Sequence, residues 1–395
     1  MTGRSQYPRL RACDVLQGCD SAPGAYVHVP FCSQICPFCP YNKVRARTEQ
    51  ARRYFAGLAA EMAWYTDALP DAGFVAFPSL YIGGGTPTLY PADLARIVDA
   101  LPVTGERAVE VLPTHATPSG LDRLRGAGIT AVSIGAQSFH DEVLRTLQRP
   151  HTAEHSLDAV RAAVGRFACV DVDLIVDVAW DDDPATAVAF LDDLQRCFDL
   201  GVDQVSTYPL MRFGYTPFPT ARHSHRREHR VLRQAATAAA RAGYRRTSVW
   251  TFSRPAAPAY TSITRRRFVG MGAGSASFTG RDFYVNHFGL DAYDDDVRAG
   301  RLPVARWLHL GSLAGATYDA FWQAYAGSVL GHRLGPKAFD VYHDLERWVT
   351  YHLIEPLWAE MLAEHSDPGW AVPQQARRSL VWAAASAAFE RPRAA

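Results

Sequence analysis

Six short runs rich in β-branched and other apolar residues recur along the first half of the chain, with helical patterns between them, and this alternation constrains the fold more than any other feature. The runs are Ala25–Val29, Ser79–Gly83, Ala108–Leu112, Ala131–Gly135, Val170–Val176 and Gln204–Tyr208. The helical patterns cover Arg52–Leu69, Pro91–Leu101, Pro118–Gly126, Asp141–Leu147, Ala153–Arg166 and Pro184–Leu200. Strands separated by helices of this length form βαβ units around a parallel sheet. Six units fit a partial (β/α)6 barrel better than a doubly wound sheet, so the expected class is α/β with an open, TIM-type barrel. Such a barrel gathers its functional residues at the C-terminal ends of the strands.

The chemistry begins directly after the first strand. The segment Tyr26-Val-His-Val-Pro-Phe-Cys32-Ser-Gln-Ile-Cys36-Pro-Phe-Cys39 spaces three cysteines as C-x3-C-x2-C. Three thiolates can hold three irons of a [4Fe–4S] cluster and leave the fourth iron without a protein ligand, open to a small chelating molecule. A structural zinc site needs four ligands in paired spacings, and the nearest spare candidates, Cys13, Cys19 and His28, complete none of them. A disulfide framework fits worse. Seven cysteines in 395 residues are sparse, and Cys13, Cys19, Cys169 and Cys197 stand apart from the triad.

Further candidate residues sit where the barrel reading puts strand ends. Tyr81-Ile-Gly-Gly-Gly-Thr-Pro87 follows the second strand, and glycines there let a ligand amine approach backbone carbonyls because no Cβ intervenes. Glu110, Gln137, Arg149 and Asp173 lie at or just beyond strand ends. Glu110 and Asp173 are acidic residues inside apolar strands, where a carboxylate is seldom buried unless it is paired or binds something. Two readings stay open from the residues alone: a structural ion pair with Arg149, or a grip on the hydroxyls, amine or sulfonium of a charged cofactor.

Taken together, Tyr26–Cys39, Gly83–Pro87, Gly135-Ala-Gln-Ser-Phe139, Leu147-Gln-Arg149, Val172-Asp-Leu-Ile175 and Val269-Gly-Met-Gly-Ala-Gly274 resemble the HemN-like radical S-adenosylmethionine (SAM) family. That family includes oxygen-independent coproporphyrinogen III oxidases, haem chaperones, and class C radical SAM methylases and cyclopropanases. The resemblance implies that Cys32, Cys36 and Cys39 ligate the cluster, that Tyr26 and Phe38 flank it and the adenine, and that Gly84, Gly85 and Thr86 contact the first SAM. It further implies SAM-binding roles for Glu110, Gln137, Arg149 and Asp173, and a second SAM bordered by Tyr208, Met211 and Ala276. The oxidases carry a further cysteine where this chain has Tyr41, and a glutamine where it has Pro258. The haem-chaperone motif is replaced by Pro258-Ala-Tyr-Thr-Ser-Ile-Thr264, which has no histidine. Thr247-Ser-Val-Trp-Thr-Phe252 and Tyr260-Thr-Ser-Ile-Thr-Arg265 resemble the class C methylases instead. The expected function is therefore transfer of a SAM-derived methylene to an sp2 carbon of an aromatic natural-product intermediate, by methylation or cyclopropanation. Coproporphyrinogen III oxidation and haem chaperoning are the alternatives.

Net charge is +1, which gives no electrostatic case for nucleic-acid or membrane binding. No apolar run reaches the ~18 residues of a bilayer span, and the cytoplasm, a reduced compartment, suits a labile cluster. Three divisions are expected: an N-terminal segment 1–24, the barrel 25–225, and a mostly helical C-terminal domain 226–395 that closes over the mouth. The resemblance implies an electron donor such as flavodoxin or ferredoxin and a monomeric chain. His223, His225 and His229 lie among arginines that repel a cation, so they read as a solvated helix start. The aromatic stripe Trp307, Phe321, Trp322, Tyr325, Tyr342, Trp348, Tyr351 and Trp358 reads first as core.

Overall fold

The computed structural model describes residues 10–176 apart from 40, together with 184–210, 225–257 and 267–329 and the short pieces 332–333, 341–342 and 344–345. Within these residues one twelve-stranded sheet dominates. Its strands are β1 (Gly24–Val29), β2 (Leu80–Gly84), β3 (Arg107–Val111), β4 (Ala131–Gln137), β5 (Cys169–Val176), β6 (Gln204–Pro209), β7 (Arg245–Arg246), β8 (Thr251–Ser253), β9 (Phe268–Met271), β10 (Ala276–Phe278), β11 (Asp282–Asn286) and β12 (Val304–His309). The helices are α1 (Ala12–Gln17), α2 (Thr48–Ala68), α3 (Pro91–Ala100), α4 (Pro118–Gly126), α5 (Asp141–Thr146), α6 (Ala153–Ala163), α7 (Pro184–Asp199), α8 (His225–Arg241), α9 (Leu290–Arg298) and α10 (Ser312–Tyr325).

Strands β1 to β6 pair in sequence order, all parallel, with Tyr26 opposite Tyr81, Glu110 opposite Ser133 and Asp173 opposite Ser206. Their near-continuous burial is what a parallel sheet with helices packed outside it demands. The expected α/β fold with an open barrel is present, and each of the six expected strands lies within a residue or two of its place. The chain after residue 225 adds strands as well as helices. β9 pairs parallel with β1, and β8 pairs antiparallel with β6. The first and sixth barrel strands therefore do not meet, and each open lip is covered by a later strand, which leaves neither with a row of unpaired backbone groups. The stripe positions Trp348, Tyr351 and Trp358 lie outside the described residues. Phe321, Tyr325 and Tyr342 pack in the core, as read. Among the described residues no helix is long and apolar enough to cross a membrane.

Helix α2 ties the barrel to the glycine-rich hairpin β9–β10. Its buried face carries Ala51, Tyr54, Leu58, Met62 and Tyr65 at three- and four-residue spacing, with Glu61 among them. Glu61 is fully buried. It accepts hydrogen bonds from the Gly272 N–H at 2.8 Å, the Tyr293 hydroxyl at 2.6 Å and the Asn286 amide at 2.8 Å. Gly272 turns with φ +99°, and a Cβ there would stand 2.4 Å from the Tyr54 hydroxyl. The loop can lie on α2 only as glycine. Replacing Glu61 with alanine strands two buried donors, the Gly272 N–H and the Tyr293 hydroxyl, and takes from the Asn286 amide its shortest partner, and the expected cost is about 3 kcal/mol of stability, read by urea unfolding. A loss below ~1 kcal/mol would show that the carboxylate is not the anchor of the hairpin.

Candidate active site

All three triad cysteines are free thiols on one loop that leaves β1 and returns at Asn42. The loop is closed by a buried imidazole. His28 Nε2 lies 2.8 Å from the Asn42 carbonyl, which can only accept, so Nε2 carries the proton. The Tyr26 hydroxyl therefore donates to His28 Nδ1 at 2.7 Å. Burial holds His28 down to about 4. Asn42 in turn donates to the carbonyls of Ala273 and Phe288, and Tyr54 donates to the His28 carbonyl at 2.6 Å. The cysteine loop is thus fastened at its start and its end to the hairpin and to α2.

The glycine run presses against this loop. Gly85 and Thr86 donate backbone N–H groups to the carbonyls of Val29 and Phe31, each at 2.8 Å. A Cβ on Gly84, whose φ is +115°, would stand 2.6 Å from the His28 ring, and one on Gly85 would stand 2.7 Å from the Phe31 carbonyl. The Thr86 hydroxyl reaches Cys32 Sγ at 3.7 Å. Phe38 packs on the small apolar cluster of Leu147, Ile175 and Leu210.

The two acidic strand residues face the same region with different partners. Glu110 accepts from the Tyr81 hydroxyl at 2.8 Å and the Gly84 N–H at 3.0 Å. Asp173 Oδ2 accepts from the Ser133 hydroxyl at 2.8 Å. Asp173 Oδ1 is buried with no partner. Burial raises both carboxyls above their ordinary range, and the neighbouring Asp171 raises Asp173 further. Among the described residues no ion pair joins either one to Arg149, so the structural-pair reading does not hold. Arg149 lies in the connection between α5 and α6 rather than at a strand end, a correction to its expected place. Its guanidinium reaches back to the Gly135 carbonyl at 2.8 Å and to Cys36 Sγ at 3.4 Å, and its Nε is buried without a partner. Gln137 ends β4 at a register shift with φ +68°, a conformation that side chains other than glycine rarely take and that marks a local constraint. Ala276 opens β10, with its carbonyl 2.1 Å from where a Cβ on Gly270 would be. Met211 lies outside the described residues, as do Pro258 and Tyr260–Arg265.

Several site residues were missed by sequence reasoning. His28 lies two along from Tyr26 and Asp171 two before Asp173, so strand alternation alone puts each on its neighbour's face. Ser133 pairs with Asp171 in register and bridges the two aspartates. Lys43 gave no signal beyond its rarity.

Among the described residues, His140, Asp192 and Asp193 bring possible ligand atoms to within 4.8 Å of one another. Residues 26–191 match the radical SAM superfamily. The chain carries a radical SAM domain. It is 28% identical over 319 residues to the oxygen-independent coproporphyrinogen III oxidase of Paracoccus denitrificans, covering 72% of this chain and 69% of that protein. It is 34% identical over 203 residues to the haem chaperone HemW of Mycobacterium tuberculosis, covering 48% of this chain and about half, 49%, of the chaperone. The solved structure of coproporphyrinogen III oxidase from Escherichia coli superposes with a TM-score of 0.68 at 22% identity, over 87% of this chain and 84% of that one, and supports the fold.

These relatives overturn the expectation of a methylene-transferring methylase or cyclopropanase. That reading leaned on Thr247–Phe252, and the structure gives those residues a local explanation. The Ser248 hydroxyl donates to Thr251 at 2.8 Å and accepts from the Trp250 N–H at 3.2 Å, while Thr247 and Ser253 share a hydrogen bond at 3.0 Å. Their polar groups serve the turn into β8.

A radical SAM domain implies a [4Fe–4S] cluster and SAM. The residues present fit both: three free thiols on one loop, a glycine run that no side chain could enter, and an orphan acceptor on Asp173 with an orphan donor on Arg149.

The buried His28 gives the fold an acid limit. Its imidazole protonates near 4 in the folded chain against 6.5 when unfolded, so between those values unfolding takes up a proton. From this group alone, stability falls as pH drops from 6.5 to 4, by on the order of 3 kcal/mol when complete. His151, also held to about 4 by burial, acts in the same direction, while buried carboxyls such as Glu61, Glu110 and Asp173, raised above their ordinary range, act in the opposite one. Urea unfolding of the apoprotein at pH 7 and pH 4.5 should therefore show wild type losing more stability, or gaining less, than His28→Asn. Equal pH dependence in the two proteins would count against the assignment.

Proposed function

We propose that this protein is a radical SAM enzyme of the oxygen-independent coproporphyrinogen III oxidase type, which decarboxylates the propionate side chains of a tetrapyrrole oxidatively. The observation that carries this reading is the cysteine loop itself, locked to the glycine run at the C-terminal ends of the barrel strands, in a chain aligned with such an oxidase over 72% of its length. In this proposal Cys32, Cys36 and Cys39 hold the cluster. When bound, cluster and SAM supply a 5′-deoxyadenosyl radical by one-electron cleavage of SAM.

The chain's own residues do the positioning. The backbone of Gly84, Gly85 and Thr86 offers a wall without side-chain bulk to the SAM amine, and Tyr26 and Phe38 flank cluster and adenine. Arg149 donates to the SAM carboxylate, and the free oxygen of Asp173 accepts from a hydroxyl or ammonium. Glu110 orients through its bonds to Tyr81 and Gly84, and Gln137 turns inward at the β4 bulge. A second SAM bordered by Tyr208, Met211 and Ala276 belongs to the same proposal. The division near residue 225, a monomeric state, a cytoplasmic setting and a flavodoxin or ferredoxin as reductant complete it.

A haem chaperone is the second reading, favoured by Tyr41 where the oxidases carry a further cysteine and by the higher identity to HemW. Anaerobic incubation with coproporphyrinogen III, SAM and a reductant separates the two. The oxidase reading expects 5′-deoxyadenosine and CO2 to accumulate with repeated turnover. Stoichiometric haem binding with no CO2 would select the chaperone instead.

Two substitutions test the site. Replacing Cys32, Cys36 and Cys39 together with alanine should abolish iron binding, and an iron–sulfur spectrum in that variant would refute the ligand set. Asp173→Asn should weaken SAM binding roughly 10- to 100-fold, the loss of about 1.5–3 kcal/mol for a hydrogen bond to a charged group, while iron content stays unchanged.

A further inference from the structure

Asp171 and Asp173 stand two apart on β5 and so lie on one face of the sheet. Asp171 is 2% exposed. One hydroxyl stands between the two carboxyls: Ser133 Oγ is 2.8 Å from Asp173 Oδ2 and 3.4 Å from Asp171 Oδ2. A serine has one hydrogen to give, and the shorter contact takes it. The longer contact then sets two acceptor oxygens against each other, unless a proton lies on Asp171 and is donated to Ser133. The far side of Asp171 is fixed in the same sense. Ser253 donates to Gln204 Oε1 at 3.2 Å, which turns the Gln204 amide N–H toward Ser206 Oγ at 3.3 Å. Ser206 therefore gives its own hydrogen to Asp171, whose two oxygens lie at 3.0 and 2.8 Å. With a proton on Asp171, every hydrogen in this row runs one way, from Gln204 through Ser206, Asp171 and Ser133 to Asp173. The row ends at Asp173 Oδ1, the buried oxygen without a partner.

Among the described residues no ion pair offsets either carboxyl. The other titratable groups around the two are Glu110 from β3, Cys169 from β5, Cys197 from α7, Tyr208 from β6, Tyr325 from α10 and Tyr41 from the cysteine loop, none of them a cation. Burial raises both aspartates, and two carboxylates in one dry site resist ionising together.

We infer that Asp171 is a positioning residue for SAM: it holds the pair's one proton at neutral pH, as a carboxylic acid that donates to Ser133, and so leaves the whole negative charge on Asp173. The inference rests on the SAM-binding role proposed above for Asp173. Ser133 then keeps its hydrogen on Asp173 Oδ2, and Oδ1 is left as an anionic acceptor for a ligand hydroxyl or ammonium. Asp171 touches no ligand and acts through Ser133.

The test combines SAM binding to the anaerobically reconstituted full-length protein with infrared spectra of the same samples at pH 7.5. Isotope-labelled aspartate separates its carbonyl bands from those of buried glutamates, and Asp193, lifted by burial to about 6, is mostly ionised at that pH. Wild type should show an aspartic-acid band with and without SAM, and SAM-bound Asp171→Asn should lose it. Asparagine is uncharged like the acid and keeps a donor for Ser133 and an acceptor for Ser206, so SAM affinity should stay within about threefold of wild type. A loss of roughly tenfold or more in the folded variant would mean that Asp171 supplies negative charge of its own, and would overturn the inference. A band that survives in Asp171→Asn also overturns it. If that variant does not fold, wild type decides alone: a band that persists when SAM binds supports the inference, and one that is absent, or that vanishes on binding, overturns it. Wild type that keeps the band but binds no SAM would sink the proposed SAM site and not the shared proton, so the two failures are distinguishable.

Discussion

The hydrogen bond from His28 to the Asn42 carbonyl closes the cysteine loop, and the rest of the site is organised around that closure. The bond fixes the proton on Nε2, so Nδ1 must accept, and the Tyr26 hydroxyl is committed to it. The imidazole stays neutral because it is buried. A charged ring could not accept from Tyr26 while donating to Asn42. Through Asn42 and the His28 carbonyl the same knot reaches the hairpin β9–β10 and α2. The cysteine loop is therefore fastened by hydrogen bonds at both of its ends.

Much of this was legible in the sequence, for definite physical reasons. Parallel strands buried on both faces leave unbroken apolar runs, and their helices leave a three- and four-residue rhythm, so β1 to β6 could be located from composition alone. Glu110 and Asp173 stood out because a carboxylate in such a run needs an explanation. What stayed hidden depends on contacts between distant segments. Phe268–Met271 is short and glycine-rich, and nothing local says that it pairs parallel with β1. Arg149 was read as a strand-end residue because its position in the chain says nothing of the distance its guanidinium spans. The +68° backbone of Gln137 is imposed by a register shift with the next strand, an irregularity of pairing rather than of sequence.

The functional misreading has the same origin. Thr247–Phe252 was weighed as a fingerprint of one branch of a family, yet its hydroxyls are engaged with one another in a turn. A short motif whose polar groups satisfy themselves reports on local folding and carries little about a substrate. Cys32, Cys36 and Cys39 are the opposite case. Their spacing has no local use, and burial pushes the Cys32 thiol up to about 12 against the pull of Thr86 and Lys43.

The uncoupled lips of the barrel have a mechanical consequence. In a closed eight-stranded ring, any change of circumference must break a ladder of backbone hydrogen bonds. Here β1 and β6 never share a ladder, so the ring is a C-shaped clip whose gap can widen or narrow by bending alone. The strands that cover its two lips, β9 and β8, come from the later part of the chain, so that part of the chain lies along the free edge of the strand that bears the cysteine loop and along the free edge of the strand that carries Tyr208.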